Sequence, residues 1–130
     1  MAKVLIVDDD PGVVSYLSKV LTIAGHEVME AFDGQAGLTA AADMSVKLII
    51  SDLSMPGSPS GVDFIRRLRE ARPDCPVVVI SGYPSESSLS QCRQMGVTDF
   101  LTKPFEMGFI RGLLDRFFPP EGKVRGGDVK

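Results

Sequence analysis

The chain has 130 residues, of which 44% are hydrophobic and 24% charged; this is the composition of one globular domain and leaves no room for a second one. Its formal net charge of -3, with acids and bases interleaved, excludes the strong positive field that would attract nucleic acid or an anionic membrane. Every apolar stretch is shorter than the roughly 18 residues of a membrane span, so we expect neither membrane insertion nor direct nucleic-acid binding.

The cysteines and the first apolar run indicate the compartment. Cys75 and Cys92 form no close pair in the sequence. The run that begins within three residues of Met1 is only five residues long, which is too short for the apolar region of a signal peptide. We therefore predict a protein of the reducing cytoplasm.

Five short apolar runs, rich in β-branched residues, predict five strands. They are Val4–Val7, Val28–Ala31, Leu48–Ile50, Val77–Ile80 and Phe100–Leu101. Segments of helical period separate the runs, so a β-α unit is repeated along the chain. Some of the runs are continuously hydrophobic, as in strands that are covered by helices on both faces, which indicates a parallel sheet.

The first three helices are predicted from caps and apolar spacing. Asp10 caps the first helix, Pro11 suits its first turn, and Gly25 ends it. Its apolar stripe is Val13, Leu17, Val20 and Ala24. The second helix follows Asp33-Gly34. The third turns one set of residues inward, Val62, Ile65 and Leu68, and another outward, Arg66, Arg67, Arg69 and Glu70.

The last two helices differ in the strength of their pattern. The fourth, at about Pro84–Met95, is the weakest because serines leave only Leu89, Cys92 and Met95 as inward residues. The fifth, at about Phe105–Phe118, is predicted to bury Met107, Ile110, Leu114 and Phe117. We expect a domain over residues 1–118 and a tail or linker over residues 119–130, where the apolar pattern stops.

Polar residues follow four of the predicted strands. Asp8-Asp9-Asp10 ends the first, Asp52 the third, Ser81 the fourth and Lys103 the fifth. In a flavodoxin-like doubly wound sheet of order 2-1-3-4-5 the third strand lies between the first and the fourth, which crowds the carboxylates at one edge. A divalent cation with a preference for oxygen ligands, such as Mg²⁺, would relieve their repulsion.

With such an ion in place the edge suits phosphoryl transfer. Asp52 can attack phosphorus, while the Ser81 hydroxyl and the Lys103 ammonium hold the phosphoryl oxygens. The product would be an aspartyl phosphate.

Four motifs resemble the receiver domains of two-component response regulators. Val-Asp-Asp-Asp-Pro, Ser-Asp-Leu-Ser-Met-Pro, Ile-Ser-Gly and Thr-Lys-Pro-Phe stand in the order and spacing of that family, from Lys3 to about Phe118. The resemblance implies a five-stranded α/β domain with five helices. It also implies Mg²⁺ or Mn²⁺ as cofactor, bound by Asp8, Asp9, Asp52 and the backbone carbonyl of Ser54.

The same resemblance assigns further roles. Asp52 is similar to the phosphoacceptor, Lys103 to the phosphate-binding lysine and Ser81 to the switch hydroxyl. Phe100 is similar to the aromatic switch, and a cis peptide is expected at Lys103-Pro104.

The partners follow from the same family. A histidine kinase or histidine phosphotransfer protein would donate the phosphoryl group. A downstream partner or output domain would bind the face formed by the fourth helix, the fifth strand and the fifth helix. A homodimer is an alternative assembly. The domain would be a signalling module and not an enzyme, with at most slow autophosphatase activity.

Two departures from the family pattern lie near the acceptor. Gly57–Ser60 supplies four residues between Pro56 and Gly61 where the family usually has three. Gly82, where alanine is more usual, leaves room above the phosphate, and Tyr83 partly covers the site.

Three alternative functions fit parts of the sequence. An aspartate phosphatase would want a second acid at the position of Ser54, which has no general-base strength. A constitutive interaction module would not need the complete acid set. A flavodoxin would place its flavin phosphate against Asp8 and Asp9.

Overall fold

The computed structural model describes residues 2–55, 57, 59 and 61–119, in which strands and helices alternate. The strands are β1 Lys3–Val7, β2 Glu27–Ala31, β3 Val46–Asp52, β4 Val77–Ser81 and β5 Asp99–Thr102. The helices are α1 Pro11–Ile23, α2 Gly34–Ala41, α3 Gly61–Ala71, α4 Glu86–Gln94 and α5 Met107–Phe117. The repeated β-α unit predicted from the sequence is confirmed.

All strand pairs are parallel, and the order is β2-β1-β3-β4-β5. The predicted flavodoxin-like order is therefore confirmed. The register pairs Val7 with Ser51, Asp52 with Ile80 and Ser81 with Thr102. The carboxyl ends of β1, β3, β4 and β5 consequently reach the same edge of the sheet.

The sheet separates two hydrophobic clusters, since successive residues of a strand point to opposite faces. In β1, Leu5 and Val7 belong to the cluster that α2, α3 and α4 cover, whereas Val4 and Ile6 belong to the cluster that α1 and α5 cover. All four are fully buried. Burial on both faces explains why the central strands are hydrophobic at consecutive positions.

The predicted helix starts are confirmed where a side chain caps them. Asp10 accepts the N–H of Gly12 at 2.8 Å, and Pro11 is the first residue of α1. Asp33 accepts the N–H of Ala36 at 2.8 Å at the start of α2. Gly25, with φ of 94°, follows α1, a conformation that other residues rarely adopt.

Some predicted inward residues were wrong. Met107 is 43% exposed because it opens α5, one turn before the stripe that buries Ile110, Leu113 and Leu114. Phe117 is only half-buried. The buried residues of α1 are Val14, Leu17, Val20 and Leu21, whereas Val13 and Ala24 only border the cluster. In α3 the buried residues are Phe64, Ile65 and Leu68, and Val62 is half-buried.

The prediction that α4 has few inward apolar residues is confirmed. Cys92 is its only buried residue, and Leu89 is half-buried, as is Met95 just after the helix. Ser85 and Ser88 form a reciprocal capping box at its start. Few apolar contacts therefore hold this helix to the sheet.

Arg69 was predicted to face solvent, but it turns inward. Its guanidinium donates to the carbonyl oxygens of Met95 at 3.1 Å and Cys75 at 3.0 Å, so it joins the end of α3 to the end of α4 and the start of β4. Arg72, which is 2% exposed, donates to the carbonyls of Ala41 and Val46. Backbone carbonyls that converge at this end of the sheet draw both arginines inward.

Three further predictions concerned the C-terminal tail, the cysteines and membrane insertion. The predicted tail over residues 119–130 lies, from residue 120 on, outside the described residues. Both cysteines are free and buried. Among the helices of the described part, none has the length and apolar character that crossing a bilayer requires.

Candidate functional site

Three acids gather at the carboxyl edge of the sheet. Asp8 follows β1 and is fully buried, Asp52 ends β3 and is 5% exposed, and Asp9 is exposed. One carboxylate oxygen from each lies within 4.8 Å of the others. The adjacency of β1 and β3 brings together residues that are more than forty positions apart in the chain.

Lys103 is the cation of this cluster. Its Nζ lies 3.0 Å from Oδ2 of Asp8 and 3.6 Å from Oδ2 of Asp52. The peptide bond that follows it, Lys103-Pro104, is cis, as predicted. The chain therefore turns after β5 with the lysine beside both buried carboxylates.

Two groups of opposite charge, the buried Asp52 and the half-buried Lys103, have displaced pKa values. Burial raises the pKa of Asp52, the neighbouring charge of Asp8 raises it further, and Lys103 opposes both effects. For Lys103 burial disfavours the ammonium form, yet the contacts with Asp8 and Asp52 together raise its pKa. The contacts with the two carboxylates therefore favour the ammonium form of Lys103.

The acid cluster fits a divalent cation. Oδ1 of Asp8 accepts the N–H of Asp10 at 3.0 Å. Oδ2 of Asp8 is buried and, apart from its ion pair with Lys103, accepts no hydrogen bond of good geometry from the described residues. Three carboxylates face one ammonium, so negative charge is in excess. Oxygen ligands with an excess of negative charge are those that Mg²⁺ prefers.

Ser81 ends β4 next to Asp52. The side chain is 3% exposed, and its Oγ accepts the backbone N–H of Tyr83 at 3.1 Å. The backbone of Ser81 in turn accepts the N–H of Lys103 at 2.8 Å. The hydroxyl thus stands at the site edge between the strands that carry the acid and the lysine.

Ser54 and the loop after it complete the edge next to Asp52. Ser54 is exposed. Within the longer loop, Pro56, Ser58 and Ser60 lie outside the described residues. The carbonyl oxygen of Pro59 lies against the start of α2, where a Cβ on Gly34 would be only 2.1 Å from it. Pro59, one of the described residues of this loop, therefore lies against the start of α2.

Phe100 lies on β5, away from the acids. It is half-buried and packs against the cluster that α2, α3 and α4 cover. Beside it is a cavity of about 190 Å³ between α4 and β5, whose lining includes Leu89, Cys92 and Arg93. The Phe100 side chain therefore borders open space between α4 and β5.

A groove that the sequence reasoning missed opens beside Lys103. Its volume is about 740 Å³. The residues that line it are Asp10, Gly12, Val13, Tyr16, Gly82, Tyr83, Lys103, Pro104 and Phe105. They come from α1 and from the segments after β4 and β5. The sequence signals for it were Phe105, which closes the Thr-Lys-Pro-Phe motif, and Gly82 with Tyr83 next to Ser81.

The chain is similar to known signalling proteins. A family model described as "Response regulator receiver domain" matches residues 4–115. The response regulator protein FleR of Pseudomonas aeruginosa is 35% identical over 114 residues, which are 88% of this chain and 23% of FleR. The KDP operon transcriptional regulatory protein KdpE of Escherichia coli is 38% identical over 114 residues, 88% of this chain and 50% of KdpE. The chain thus spans a quarter to a half of these relatives.

Solved structures agree with these sequence matches. The chemotaxis protein CheY4 of Vibrio cholerae superimposes with a TM-score of 0.81 at 32% identity, covering 90% of this chain and 98% of CheY4. A CheY-like receiver domain from Methanospirillum hungatei gives a TM-score of 0.83 at 21% identity, covering 90% and 94%. The second likeness shows the fold alone.

Proposed function

This chain belongs to the response regulator receiver domain family, and we propose that Asp52 is the residue on which it accepts a phosphoryl group. Phosphorylation and a requirement for Mg²⁺ are general features of that family. The observation that carries the assignment is the position of Asp52, buried at the sheet edge with Lys103 Nζ 3.6 Å from its Oδ2 and two further acids beside it.

The chemistry proposed for this site needs three groups. A carboxylate oxygen of Asp52 attacks phosphorus, the bond to the leaving group breaks, and the leaving group keeps the electron pair. Lys103 and the Ser81 hydroxyl would hold the phosphoryl oxygens. Such transfers are catalysed mainly by positioning and charge neutralisation.

Asp8, Asp9, Asp52 and the backbone carbonyl of Ser54 would hold the Mg²⁺ or Mn²⁺ ion. When bound, the ion neutralises charge on the transferring phosphoryl group. The buried Oδ2 of Asp8, without a hydrogen bond of good geometry among the described residues, supports this ligand set.

Receiver domains are signalling modules and not classical enzymes. For this chain we propose at most slow autophosphatase activity. Ser54, two residues after the acceptor, is an uncharged side chain without general-base strength. An aspartate phosphatase that turns over rapidly is correspondingly disfavoured.

Receiver domains act between histidine kinases and output domains. We propose that the donor here is a histidine kinase or a histidine phosphotransfer protein, and that a downstream partner binds the face formed by α4, β5 and α5, with Ser81 and Phe100 as switch residues. The cavity beside Phe100 and the sparse packing of α4 support that face. A homodimer is kept as an alternative assembly.

Three further proposals concern the surroundings of the domain. KdpE is a transcriptional regulator by its name, but the matched half is the receiver part, and a net charge of -3 supports no direct nucleic-acid contact by this chain. Free, buried cysteines support a cytoplasmic location. Residues 1–118 are proposed as the domain and residues 119–130 as a tail or linker.

The test is the intact mass after incubation with acetyl phosphate, with and without Mg²⁺. We expect the wild type to gain one phosphoryl group only with the metal, and Asp52→Asn to gain none. Asp115→Asn, which removes an exposed acid from α5, is the matched control and should behave as the wild type. Equal labelling of Asp52→Asn would place the acceptor elsewhere.

A further inference from the structure

Ser51 is a polar residue on the central strand of a hydrophobic sheet. It precedes Asp52 on β3 and is fully buried, and the register pairs it with Val7 of β1 and Val79 of β4. Side chains alternate along a strand, so Ser51 points to the same face as Ile49, which belongs to the cluster that α2, α3 and α4 cover. A hydroxyl in such surroundings destabilises the fold unless it finds a hydrogen-bond partner.

The partner of this hydroxyl is the backbone next to it. Ser51 Oγ donates to the carbonyl oxygen of Asp52 at 2.8 Å, and the bond is buried. That carbonyl belongs to the peptide unit that joins Asp52 to Leu53. The N–H of the same unit donates to the carbonyl oxygen of Ile80 on β4 at 2.9 Å. Both polar ends of this peptide unit are therefore fixed, one by a side chain and the other by the neighbouring strand.

The carbonyl of Asp52 has no partner in the sheet. The N–H groups of Ile49 and Leu53 point to β4, so the backbone groups of Asp52 between them point to β1. β1 ends at Val7, which pairs with Ser51, and the ladder between β1 and β3 stops one residue short of this carbonyl. Among the described residues no loop N–H donates to it either. The hydroxyl of Ser51 supplies the missing donor.

The orientation of this peptide unit determines where the acceptor carboxylate lies. Burial raises the pKa of Asp52, and the backbone N–H groups of Leu53 and Ser54 act against that rise by stabilising the carboxylate. The first of these N–H groups belongs to the unit that Ser51 holds. A rotation of the unit would move this N–H and the Cα–Cβ bond of Asp52 together, and would displace the carboxylate from Lys103, whose Nζ is 3.6 Å from Oδ2.

We propose that Ser51 is a positioning residue for the phosphoryl transfer, because its hydroxyl fixes the peptide unit after Asp52 and thereby orients the acceptor carboxylate. Ser51 points into the hydrophobic cluster and takes no part in bond making. The inference rests on the proposed function, because it assumes that Asp52 is the acceptor. It gives a role to the first residue of the Ser-Asp-Leu-Ser-Met-Pro motif, to which the transfer chemistry assigns none.

The experiment compares the full-length wild type with three variants at saturating Mg²⁺. The rate of phosphorylation by acetyl phosphate is followed by intact mass. Ser51→Ala removes the donor, and Ser51→Thr keeps a hydroxyl at the same position. Ile49→Val is the matched control, since it loosens the same face of β3 without touching the hydrogen bond. Amide exchange of Leu53, measured in EDTA, reports on the peptide unit in the absence of any reaction.

We expect Ser51→Ala to be phosphorylated about threefold to tenfold more slowly than the wild type, the range of one buried hydrogen bond. Transfer requires the attacking oxygen to be aligned with phosphorus, so a carboxylate held less firmly reacts more slowly. Exchange of the Leu53 amide should accelerate more in Ser51→Ala than in Ile49→Val. Ser51→Thr and Ile49→Val should keep the wild-type rate of phosphorylation.

The possible failures of the two proposals are distinct. A wild-type rate in Ser51→Ala, or an equal loss of rate in Ile49→Val, would overturn the inference and leave the proposed function intact. Absence of labelling of the wild type, or undiminished labelling of Asp52→Asn, would overturn the proposed function and the inference with it.

Discussion

Asp9 is the one acid of the cluster that can be changed without touching the core. It is exposed, whereas Asp8 is fully buried and Asp52 nearly so. Its carboxylate still lies within 4.8 Å of the other two. A substitution at Asp9 therefore separates metal binding from folding, which a change at Asp8 would not.

We expect Asp9→Asn to leave the thermal midpoint unchanged in EDTA and to abolish most of the stabilisation by Mg²⁺. Binding to the native state alone contributes about 1.4 kcal/mol at ten times Kd, so the wild-type shift is measurable. Thermal melts with and without Mg²⁺ check this.

Asp115→Asn should keep the full Mg²⁺ shift, since this residue is exposed on α5. A Mg²⁺ shift of wild-type size in Asp9→Asn would remove Asp9 from the ligand set.

The buried Asp52 offers a second comparison of melting temperatures, without Mg²⁺. In Asp52→Asn the burial of a charge and its repulsion from Asp8 are both absent. We therefore expect the thermal midpoint of this variant in EDTA to be higher than that of the wild type, as measured by thermal melts.

At the scale of elements, α4 is held at one end. Cys92 is its only buried residue, and Arg69 binds the carbonyl of Met95 just after the helix. The start of the helix, by contrast, has only its own capping box. The hydrogen bond from Arg69 on α3 therefore holds the C-terminal end of α4.

We expect Arg69→Gln to lower the free energy of unfolding by about 1–3 kcal/mol, because buried carbonyls lose a charged donor. Amide hydrogen exchange in α4 should accelerate more than in α1. Urea unfolding and exchange measured by mass spectrometry test both points.

The control lies on the same helix. Arg66 is exposed and forms only ion pairs with Asp63 and Glu70, so Arg66→Gln should change stability by less than about 0.5 kcal/mol. Equal effects of the two substitutions would show that Arg69 is no anchor of α4.

Two helical glycines should respond in opposite directions. A Cβ at Gly34 would meet the carbonyl oxygen of Pro59 at 2.1 Å, whereas a Cβ at Gly112 would meet nothing within 4 Å. We expect Gly34→Ala to destabilise the domain by about 1–3 kcal/mol and Gly112→Ala to stabilise it by about 0.5–1 kcal/mol. Urea unfolding of both variants checks the signs; a neutral Gly34→Ala would mean that the longer loop does not rest on α2.

At the scale of the whole molecule, His26 joins the two ends of the described chain. Its Nδ1 accepts the N–H of Ala2 at 3.2 Å, and its ring lies 5.1 Å from that of Phe118. Burial lowers the pKa of His26 below 6.5. The acceptor nitrogen must be unprotonated for the hydrogen bond to Ala2 to form.

The pH dependence follows from the sign of this displacement. A folded-state pKa below the unfolded one means that the contribution of His26 is present above pH 6.5 and is lost as the pH falls towards the folded-state pKa. We expect the free energy of unfolding to fall between pH 7.5 and pH 5.5 in the wild type and less so in His26→Asn. Asparagine offers an acceptor oxygen and does not titrate in this range.

Urea unfolding at several pH values tests the difference between the two proteins. His26 is the only histidine of the chain, and the difference removes the contribution of groups common to both, including Asp52. Parallel pH profiles of the two proteins would contradict the assignment.

The amino-acid sequence by itself predicted a parallel sheet and the polar residues at its carboxyl edge, whereas the strand order came from the likeness to a flavodoxin-like fold. Hydrophobic runs buried on both faces give a local signal, and polar residues at the ends of β1, β3, β4 and β5 must meet once the sheet is parallel. Asp8, Asp52 and Lys103 could therefore be placed together before any coordinates. Helix caps such as Asp10 were equally local, because a cap depends on residues two or three positions away.

Only the tertiary structure decided what depends on contacts between distant segments. Met107 is exposed although it continues an apolar pattern, because it opens α5 one turn before the buried stripe of Ile110, Leu113 and Leu114. Arg69 turns inward because carbonyls from β4 and α4 converge on it. The groove of Tyr16, Tyr83 and Phe105 could not be predicted as a whole from the sequence, since it forms from three segments that approach only when the sheet is assembled.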